Sequence, residues 1–267
     1  MKVIFVGRNN SFNRQFACEL FRDQELTSCL FVEGGRNTFA GRYKKIRRRM
    51  KRNGFFRVVD ELAFHVYDRI FHAKRSKQFL QKEPDFFGKW RKLPCPSFEA
   101  DNIHSKKWIE YIEEQQPDMI FSICCNVIFK PKLYNIPRLG TFVLHEGLTP
   151  EYKGLHTPIW AMLNGEHEYI GYTMLRVNDE IDGGEVLNQG TYTLQPGEDV
   201  RTWSWVGHNA LIQGLPEMRE RINDLANNGT FSPLSLEGRK DTYYSWVTLS
   251  QFPVSYTHLT LPTKRIV

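Results

Sequence analysis

The sequence predicts an α/β fold in which helices flank a mostly parallel β-sheet. Short apolar runs typical of buried strands alternate with helix-like segments along the chain. A chain of 267 residues that is 41% hydrophobic can also bury a full core. Strands that alternate with helices favour parallel pairing through right-handed crossovers. No apolar run approaches the roughly 18 residues that a membrane-spanning helix needs.

The individual elements are predicted from apolar spacing and turn residues. Strand-like runs lie at 2–6, 28–32, 119–124, 140–144, 169–177 and 185–189, and helix-like segments at 11–23, 105–115, 157–164 and 200–227. The polar residues 101–105 suit a turn and an N-cap ahead of the second helix. The segment 200–227 repeats apolar residues at a spacing close to 3.6, so we expect its apolar stripe to pack on the sheet.

Several function classes are disfavoured by what the sequence lacks. The first strand ends in Gly7-Arg8-Asn9-Asn10, which is not the glycine-rich turn of a dinucleotide site. The five cysteines show no metal-ligand spacing, and the adjacent Cys124 and Cys125 are poorly placed to bridge each other. The opening residues are too short for a signal peptide and end in a glycine turn. We therefore expect a reduced, cytoplasmic protein with no metal and no dinucleotide cofactor.

Two loops carry residues suited to chemistry on an acyl carbon. His145 follows the strand-like run 140–144, and Asp182 follows the run 169–177. Ligands of open α/β sheets bind at the carboxyl ends of the strands, so we expect both side chains to face one cleft. An imidazole moves protons near neutral pH, and a carboxylate can hold it oriented and charged. A structural histidine and a turn-forming aspartate are the alternative interpretations.

The same loops resemble the signature of the formyltransferases that use 10-formyltetrahydrofolate. This family includes glycinamide ribonucleotide transformylase, methionyl-tRNA formyltransferase and the sugar-amine N-formyltransferases. The residues that match its motif are His145, Pro150, Tyr152, Gly154, Asp182 and Gly184. Lys153 replaces an arginine of the motif, and Val143 stands where the family has an asparagine. The resemblance covers roughly residues 97–227 and implies the Rossmann-like formyltransferase fold.

The resemblance also implies a domain plan and a set of site residues. It implies a catalytic domain over residues 1–230 with a basic helical insert at 36–87 on the acceptor side of the cleft, and a truncated C-terminal extension at 231–253. Residues 254–267 resemble a translated sequencing adapter, so we expect them to be non-native. The candidate catalytic residues are His145, Asp182, Asn126 and Glu146, and the candidate folate-binding residues are Ser122, Cys124, Cys125, Val127, Phe129, Asn178, Asp179 and Ile181.

Val143 raises a question about the chemistry. Attack of an amine on a formyl carbon develops a negative oxygen, and losing one hydrogen-bond donor to such an oxygen costs about 2.7–4 kcal/mol. Valine cannot donate, so either a neighbour such as Asn126 or Thr149 replaces the missing donor or the activity is reduced. Glu146 is either a base for the amine or an exposed loop carboxylate.

The strongest charge feature is the basic segment 42–52, within a chain of formal net charge +6. Its alternatives are a solvated helix face, a site for an anionic substrate, or a helix lying on an anionic membrane. Charge alone does not specify nucleic acid, which we do not expect as a partner. The sequence leaves the oligomeric state undetermined.

Three functions therefore remain open at this point. The first is formyl transfer from 10-formyltetrahydrofolate to a small-molecule amine acceptor, above all an amino sugar linked to a nucleotide or a lipid carrier. The second is hydrolysis of the same folate, because His145 and Asp182 could activate water. The third is a non-catalytic relative that binds folate or nucleotide, which Val143 motivates.

Overall fold

The computed structural model describes residues 1–32, 39–125 and 127–252, without the side chains at 39–42, 44 and 45. The predictions for Asn126 and for residues 33–38 and 253–267 lie outside the described residues. The strands are β1 Lys2–Gly7, β2 Glu25–Phe31, β3 Ser97–Glu99, β4 Met119–Ile123, β5 Gly140–His145, β6 Lys153–Gly154, β7 Gly171–Arg176, β8 Val186–Thr191 and β9 Tyr243–Tyr244. The helices are α1 Ser11–Leu20, α2 Phe39–Asn53, α3 Phe55–Phe71, α4 Ala73–Leu80, α5 Pro84–Phe87, α6 Lys106–Gln115, α7 Pro131–Tyr134, α8 Thr157–Asn164 and α9 Trp203–Asn228, with 3₁₀ turns at His167–Tyr169 and Val200–Thr202.

The described strands form a mostly parallel seven-stranded sheet in the order β3-β2-β1-β4-β5-β7-β8. The pairs from β3 to β5 are parallel, whereas β7 runs antiparallel to both β5 and β8. The strand order reverses direction between β1 and β4, and such a switch point is where open α/β sheets bind ligands. The predicted α/β fold with a mostly parallel sheet is confirmed.

Burial on both faces explains the continuous apolar run of β1. Val3 and Phe5 pack into the core cluster under α1 and α9, and Ile4 and Val6 pack into the cluster under α6. Successive strand residues point to opposite faces, so a strand covered on both sides must be apolar throughout. Helix α9 lies against β7 and β8. The expected packing of its apolar stripe on the sheet is therefore confirmed.

Local capping fixes where two of the helices begin. The Asn10 side chain accepts a hydrogen bond from the Asn13 backbone NH at 2.8 Å, and α1 starts between them. Asp199 accepts from the Arg201 backbone NH at 2.9 Å, while the Thr202 hydroxyl accepts from the Asp199 NH at 3.0 Å. This reciprocal cap shapes a 3₁₀ turn, so the predicted helix 200–227 begins as a 3₁₀ turn and becomes α-helical only at Trp203.

The strand β2 differs most from its predicted bounds. It begins at Glu25 and ends at Phe31, whereas the apolar run predicted 28–32. Its first residues pair with Lys2 and Val3 of β1. Strand pairing, and not apolar content, therefore sets this end of the strand.

The segment between β2 and β3 contains helices α2 to α5, and ion pairs join α2 to α3 and α4 to the start of α9. Glu61 of α3 is fully buried and pairs with Arg49 of α2 and with Arg57. Arg75 of α4 reaches Asp199 at 3.1 Å, at the start of α9. Within the basic segment, the Arg49 side chain is half-buried and lies between Glu61 and the Trp246 ring, so this residue is not part of a solvated face.

The C-terminal segment after α9 returns to the loop that follows β5. Strand β9 pairs in parallel with β6, joining Lys153 to Tyr243 and Gly154 to Tyr244. The Tyr244 ring stacks on Tyr152 with centroids 4.8 Å apart. The segment 231–252 thus contacts the loop that carries the signature residues of the sequence.

Candidate active site

His145 is the last residue of β5, and its ring is fixed by a backbone carbonyl. Its Nε2 lies 2.7 Å from the Tyr152 carbonyl oxygen. Because a carbonyl oxygen only accepts, Nε2 carries the proton of this hydrogen bond. Nδ1 is then the nitrogen that remains available to take a second proton. The side chain is 9% exposed, so the ring is held in a largely water-excluded position.

Asp182 faces that nitrogen from the loop after β7. Its Oδ2 lies 3.7 Å from His145 Nδ1 and accepts a hydrogen bond from the Gly154 NH at 2.9 Å. The loop is shaped by Asn178, whose Oδ1 accepts from the Glu180 backbone NH at 2.9 Å. The Asp182 side chain is 18% exposed. The expectation that His145 and Asp182 face one site is confirmed, and their catalytic roles stay predictions.

Two glycines make this approach possible. Gly154 has φ +101°, and a Cβ there would meet the Tyr244 carbonyl oxygen at 2.1 Å. A Cβ on Gly184 would meet the Arg176 carbonyl oxygen at 1.6 Å. A larger residue at either position would push apart the backbone that holds Asp182 beside His145. This explains why the motif requires glycine at both positions.

Tyr152 and Lys153 hold the loop and do not face the cleft. The Lys153 ammonium is buried and pairs with Asp241 at 2.7 Å and Glu180 at 3.3 Å. Burial alone would lower the pKa of Lys153, but these two carboxylates outweigh it and raise that pKa. The Tyr152 hydroxyl donates to Glu166. Tyr152 and Lys153 are therefore structural residues. Lys153 supports the Asp182 loop through its pair with Glu180.

Glu146 lies beside Cys124 and His208. Its Oε1 is 3.8 Å from the Cys124 sulfur, and the possible ligand atoms of the three side chains lie within 4.8 Å of one another. The residue is half-buried, so the interpretation of Glu146 as an exposed loop carboxylate is wrong. Burial raises the pKa of the Cys124 thiol well above its usual range, and the Glu146 carboxylate adds to the effect. The thiol form disfavours metal binding here, and the absence of a metal stays a prediction.

His208 was not identified from the sequence. It lies in the second turn of α9, where its Nδ1 hydrogen-bonds the Ser204 carbonyl oxygen at 2.6 Å and its ring meets Phe12 edge-on. Nε2 is thereby the nitrogen left to face Glu146 and Cys124. Nothing in the spacing of α9 distinguishes this histidine from a core residue, because it occurs within an ordinary amphipathic helix.

Val143 stands on β5 where the family motif has an asparagine. Val143 lies two residues before His145 on β5, so both side chains leave the same face of the strand. Val143 is half-buried and packs against the buried apolar cluster under α6, as Cys125 and Val127 do. Thr149 is buried, and its backbone NH already donates to the Thr173 hydroxyl at 3.1 Å. Thr149 is therefore a poor replacement for the missing donor.

The predicted folate-binding residues divide into buried and open groups. Ser122 and Phe129 are buried, and Phe129 packs in the core under α6. Burial also raises the pKa of Cys125. The loop after β7 is open, with Asn178, Asp179 and Ile181 all exposed, and Asp179 accepts a hydrogen bond from the Tyr134 hydroxyl at 2.7 Å. Phe129 thus belongs to the core, while Ile181 and its neighbours can contact a ligand.

A histidine and a carboxylate at the carboxyl edge of an α/β sheet are typical of an enzyme that moves protons on a bound substrate. The formyl transferase family model matches residues 3–218. The chain belongs to the formyl transferase family. The family match covers the sheet and both loops that hold His145 and Asp182.

The chain is similar to parts of several longer proteins. It is 33% identical over 180 residues to the bifunctional polymyxin resistance protein ArnA of Wigglesworthia glossinidia brevipalpis, a match covering 66% of this chain and 26% of ArnA. The match thus spans about a quarter of the length of that relative. A sugar N-formyltransferase from a Shewanella species aligns at 17% identity and a TM-score of 0.54, over 92% of this chain and 76% of its own. HypX from Aquifex aeolicus in complex with tetrahydrofolic acid aligns at 15% identity and a TM-score of 0.56, over 94% and 30%. These two structures are similar in fold.

Proposed function

We propose that the protein transfers a formyl group from 10-formyltetrahydrofolate to the amine of an amino sugar linked to a nucleotide or a lipid carrier. The observation that carries this proposal is the His145–Asp182 pair, with Nδ1 and Oδ2 3.7 Å apart, in a chain of the formyl transferase family. The acceptor class is supported by the Shewanella structure, which is described as that of a sugar N-formyltransferase. The tetrahydrofolate complex of HypX supports the co-substrate.

The residues near Asp182 fit a flat folate ring. Such a ring needs an apolar contact on its face and a few polar groups at its edge. Ile181 is an exposed apolar residue next to Asp182, and Val127 is half-buried against the apolar cluster under α6. The exposed backbone of 178–181 provides polar groups. We assign the folate slot to this loop together with Cys124, Cys125 and Val127, and we leave Phe129 out.

His145 is placed to move the proton of the reaction. The folate supplies an activated formyl carbon. As the acceptor nitrogen bonds to that carbon, the amine must lose a proton, and Nδ1 of His145 is the free base at the site. Protonated Nδ1 then faces the Asp182 carboxylate, so the charge that develops on the imidazole is stabilised. The same proton can be delivered to the folate nitrogen as its bond to the formyl carbon breaks.

The developing negative oxygen needs a donor that Val143 cannot provide. The protonated Nδ1 of His145 is one donor, and the Asn126 amide, two residues after Cys124, is the candidate for a second. Glu146 has a different role in the proposal. A half-buried carboxylate beside His208 and Cys124 can accept a hydrogen bond from the neutral acceptor amine, so we assign Glu146 to acceptor binding.

The test is release of tetrahydrofolate from 10-formyltetrahydrofolate with and without a panel of nucleotide-linked amino sugars. Transfer predicts release that depends on the amine and a formylated sugar product. His145→Ala should abolish both, while the matched control His167→Ala, an exposed histidine of a 3₁₀ turn, should not. Release of formate without any amine would favour the hydrolase, and folate binding without turnover would favour the non-catalytic relative.

A further inference from the structure

We propose that helix α3, together with the basic helix α2, forms a surface that binds bilayers containing anionic lipid. The outer face of α3, called here the apolar stripe, consists of Phe55, Phe56, Val59, Leu62, Ala63, Val66 and Ile70. With about 100° between successive helix residues, these seven side chains fall within an arc of roughly 120°. Every position in that arc is apolar.

Five of the seven stripe residues are exposed and Leu62 and Ala63 are half-buried, whereas the opposite face of the same helix is packed. Among the described residues, Phe56 is 85% exposed, Ile70 67% and Val66 59%, whereas Val58 and Phe64 on the inner face are buried. Single exposed apolar side chains are ordinary, but a contiguous apolar face along a helix of 17 residues marks an interaction site. The inner face already anchors α3 to the domain, so its outer face is available to a partner.

Positive charge lies at both ends of the stripe. Helix α2 contains no acidic residue, and its exposed side chains include Arg47, Arg48 and Lys51. Only Gly54 separates α2 from Phe55, so this charge adjoins the aromatic end of the stripe. Beyond the other end, Lys74 and Lys77 of α4 are also exposed. Arg49 does not contribute, because it pairs with the buried Glu61.

This combination fits a lipid surface better than a second copy of the chain. Apposed stripes of two copies would bring two α2 helices of like charge together, which opposes association. An anionic bilayer instead offers an apolar layer for the stripe and phosphate groups for the flanking lysines and arginines. None of the helices within 1–32, 39–125 and 127–252 is long and apolar enough to cross a membrane. The proposed contact therefore lies in the plane of the interface.

The position of α3 links this surface to the site. His65 on its inner face lies 5.6 Å from His156, measured between ring centroids, and His156 is two residues after Gly154, whose NH holds Asp182. About one helix diameter, roughly 10 Å, thus separates the lipid surface from the loop that supports the site. An acceptor carried on a lipid would be met at the bilayer, and this last step rests on the proposed function.

Vesicle co-sedimentation of the full chain tests the inference without any turnover. The probes are vesicles of pure phosphatidylcholine and vesicles in which about a third of the lipid is phosphatidylglycerol. The stripe variant is Val59→Ser, Val66→Ser and Ile70→Ser, and its control is Leu234→Ser, another exposed apolar residue. The charge variant is Arg47→Ser, Arg48→Ser and Lys51→Ser. Its control is Lys106→Ser, Lys107→Ser and Lys132→Ser, three exposed lysines on α6 and α7.

The wild type should bind the anionic vesicles and bind phosphatidylcholine far less. Each Lys or Arg near such a surface is worth about fivefold in affinity, so the charge variant should bind roughly 10²-fold more weakly. The stripe variant should lose roughly tenfold or more. Both controls should bind like the wild type, and all variants should keep the same unfolding temperature.

Three results would overturn the inference. They are no binding to anionic vesicles, equal loss in the control variants, and binding that the stripe and charge variants leave intact. Self-association that the stripe variant abolishes would assign the face to a second copy instead. Sedimentation velocity of the wild type and of the stripe variant separates that outcome from lipid binding. None of these results depends on whether formyl transfer occurs.

Discussion

Asp182→Asn is the perturbation that isolates the charge of the pair from its geometry. Asparagine can still accept the Gly154 NH through Oδ1, so the loop should keep its shape. What disappears is the attraction between the carboxylate and protonated His145, whose closest atoms are 3.7 Å apart. Near a protein surface a unit charge pair at this separation interacts by about 4 kcal/mol. The formyl-transfer rate should therefore fall by roughly 10²–10³-fold.

The assay is a single-turnover measurement of formyl transfer with saturating folate and amine. Asp224→Asn is the matched control, because Asp224 is an exposed aspartate of α9 that pairs with Arg221 and is none of the proposed site residues. The control should retain the wild-type rate, and both variants should unfold at the wild-type temperature. A rate for Asp182→Asn within a factor of about three of the wild type would refute the electrostatic role, because 4 kcal/mol corresponds to far more.

The remaining predictions concern catalysis, stability and pH. His145→Ala should reduce transfer by at least about 10²-fold while folate affinity, measured by calorimetry, is retained. Val143→Asn should lower the transfer rate if the Asn126 amide already supplies the second donor, because the larger side chain intrudes, and should raise it if that donor is missing, because one well-placed donor is worth about 2.7–4 kcal/mol; an unchanged rate would show that position 143 does not face the formyl oxygen. Glu61→Gln should lower the free energy of unfolding, measured with denaturant, by about 3 kcal/mol, since it leaves Arg49 partly buried without its carboxylate. Burial lowers the pKa of His156 to about 4 from 6.5, so its contribution to stability is present above about pH 6.5 and is lost as the pH falls towards 4. The loss at about pH 4.5 should be roughly 2–3 kcal/mol, and His156→Asn should flatten that dependence.

The sequence was sufficient for the fold and for the central pair because both depend on local patterns. The bounds of α8, Thr157–Asn164, agree with the predicted segment, since its apolar residues and the glycine after it are adjacent in the chain. Asp182 and His145 were predicted to meet because each follows a strand, and strand ends share one edge of the sheet. These inferences needed no knowledge of distant contacts.

The contacts that arise from distant parts of the chain were not predictable. His208 joins Glu146 and Cys124 because the start of α9 lies against Glu146, which a Cβ on Gly207 would meet at 3.1 Å. Tyr244 reaches Tyr152 through the pairing of β9 with β6. Arg49 and Glu61 pair because α2 and α3 pack together, and the sequence shows only a basic run there. The sulfurs of Cys29 and Cys95, 66 positions apart in the chain, lie 3.7 Å from each other because β3 pairs with β2.

The role of the exposed face of α3 was also hidden in the sequence. Its seven apolar residues predict a helix face that packs, and in the sequence nothing distinguishes packing on the domain from packing on a partner. Only the position of Glu61 and Phe64 against the domain shows that the stripe is the other face. The exposed apolar face beside the basic helix α2 is the observation on which the proposed lipid surface rests.

The most direct test of the account is to follow a ¹³C-labelled formyl group from 10-formyltetrahydrofolate. The protein is incubated with the labelled folate and a nucleotide-linked amino sugar, and the label is located by NMR. The account predicts that the label appears as an amide on the sugar nitrogen, at a rate that His145→Ala and Asp182→Asn both reduce by at least about 10²-fold. Label recovered only as formate, or amide formation that both variants leave unchanged, would contradict it.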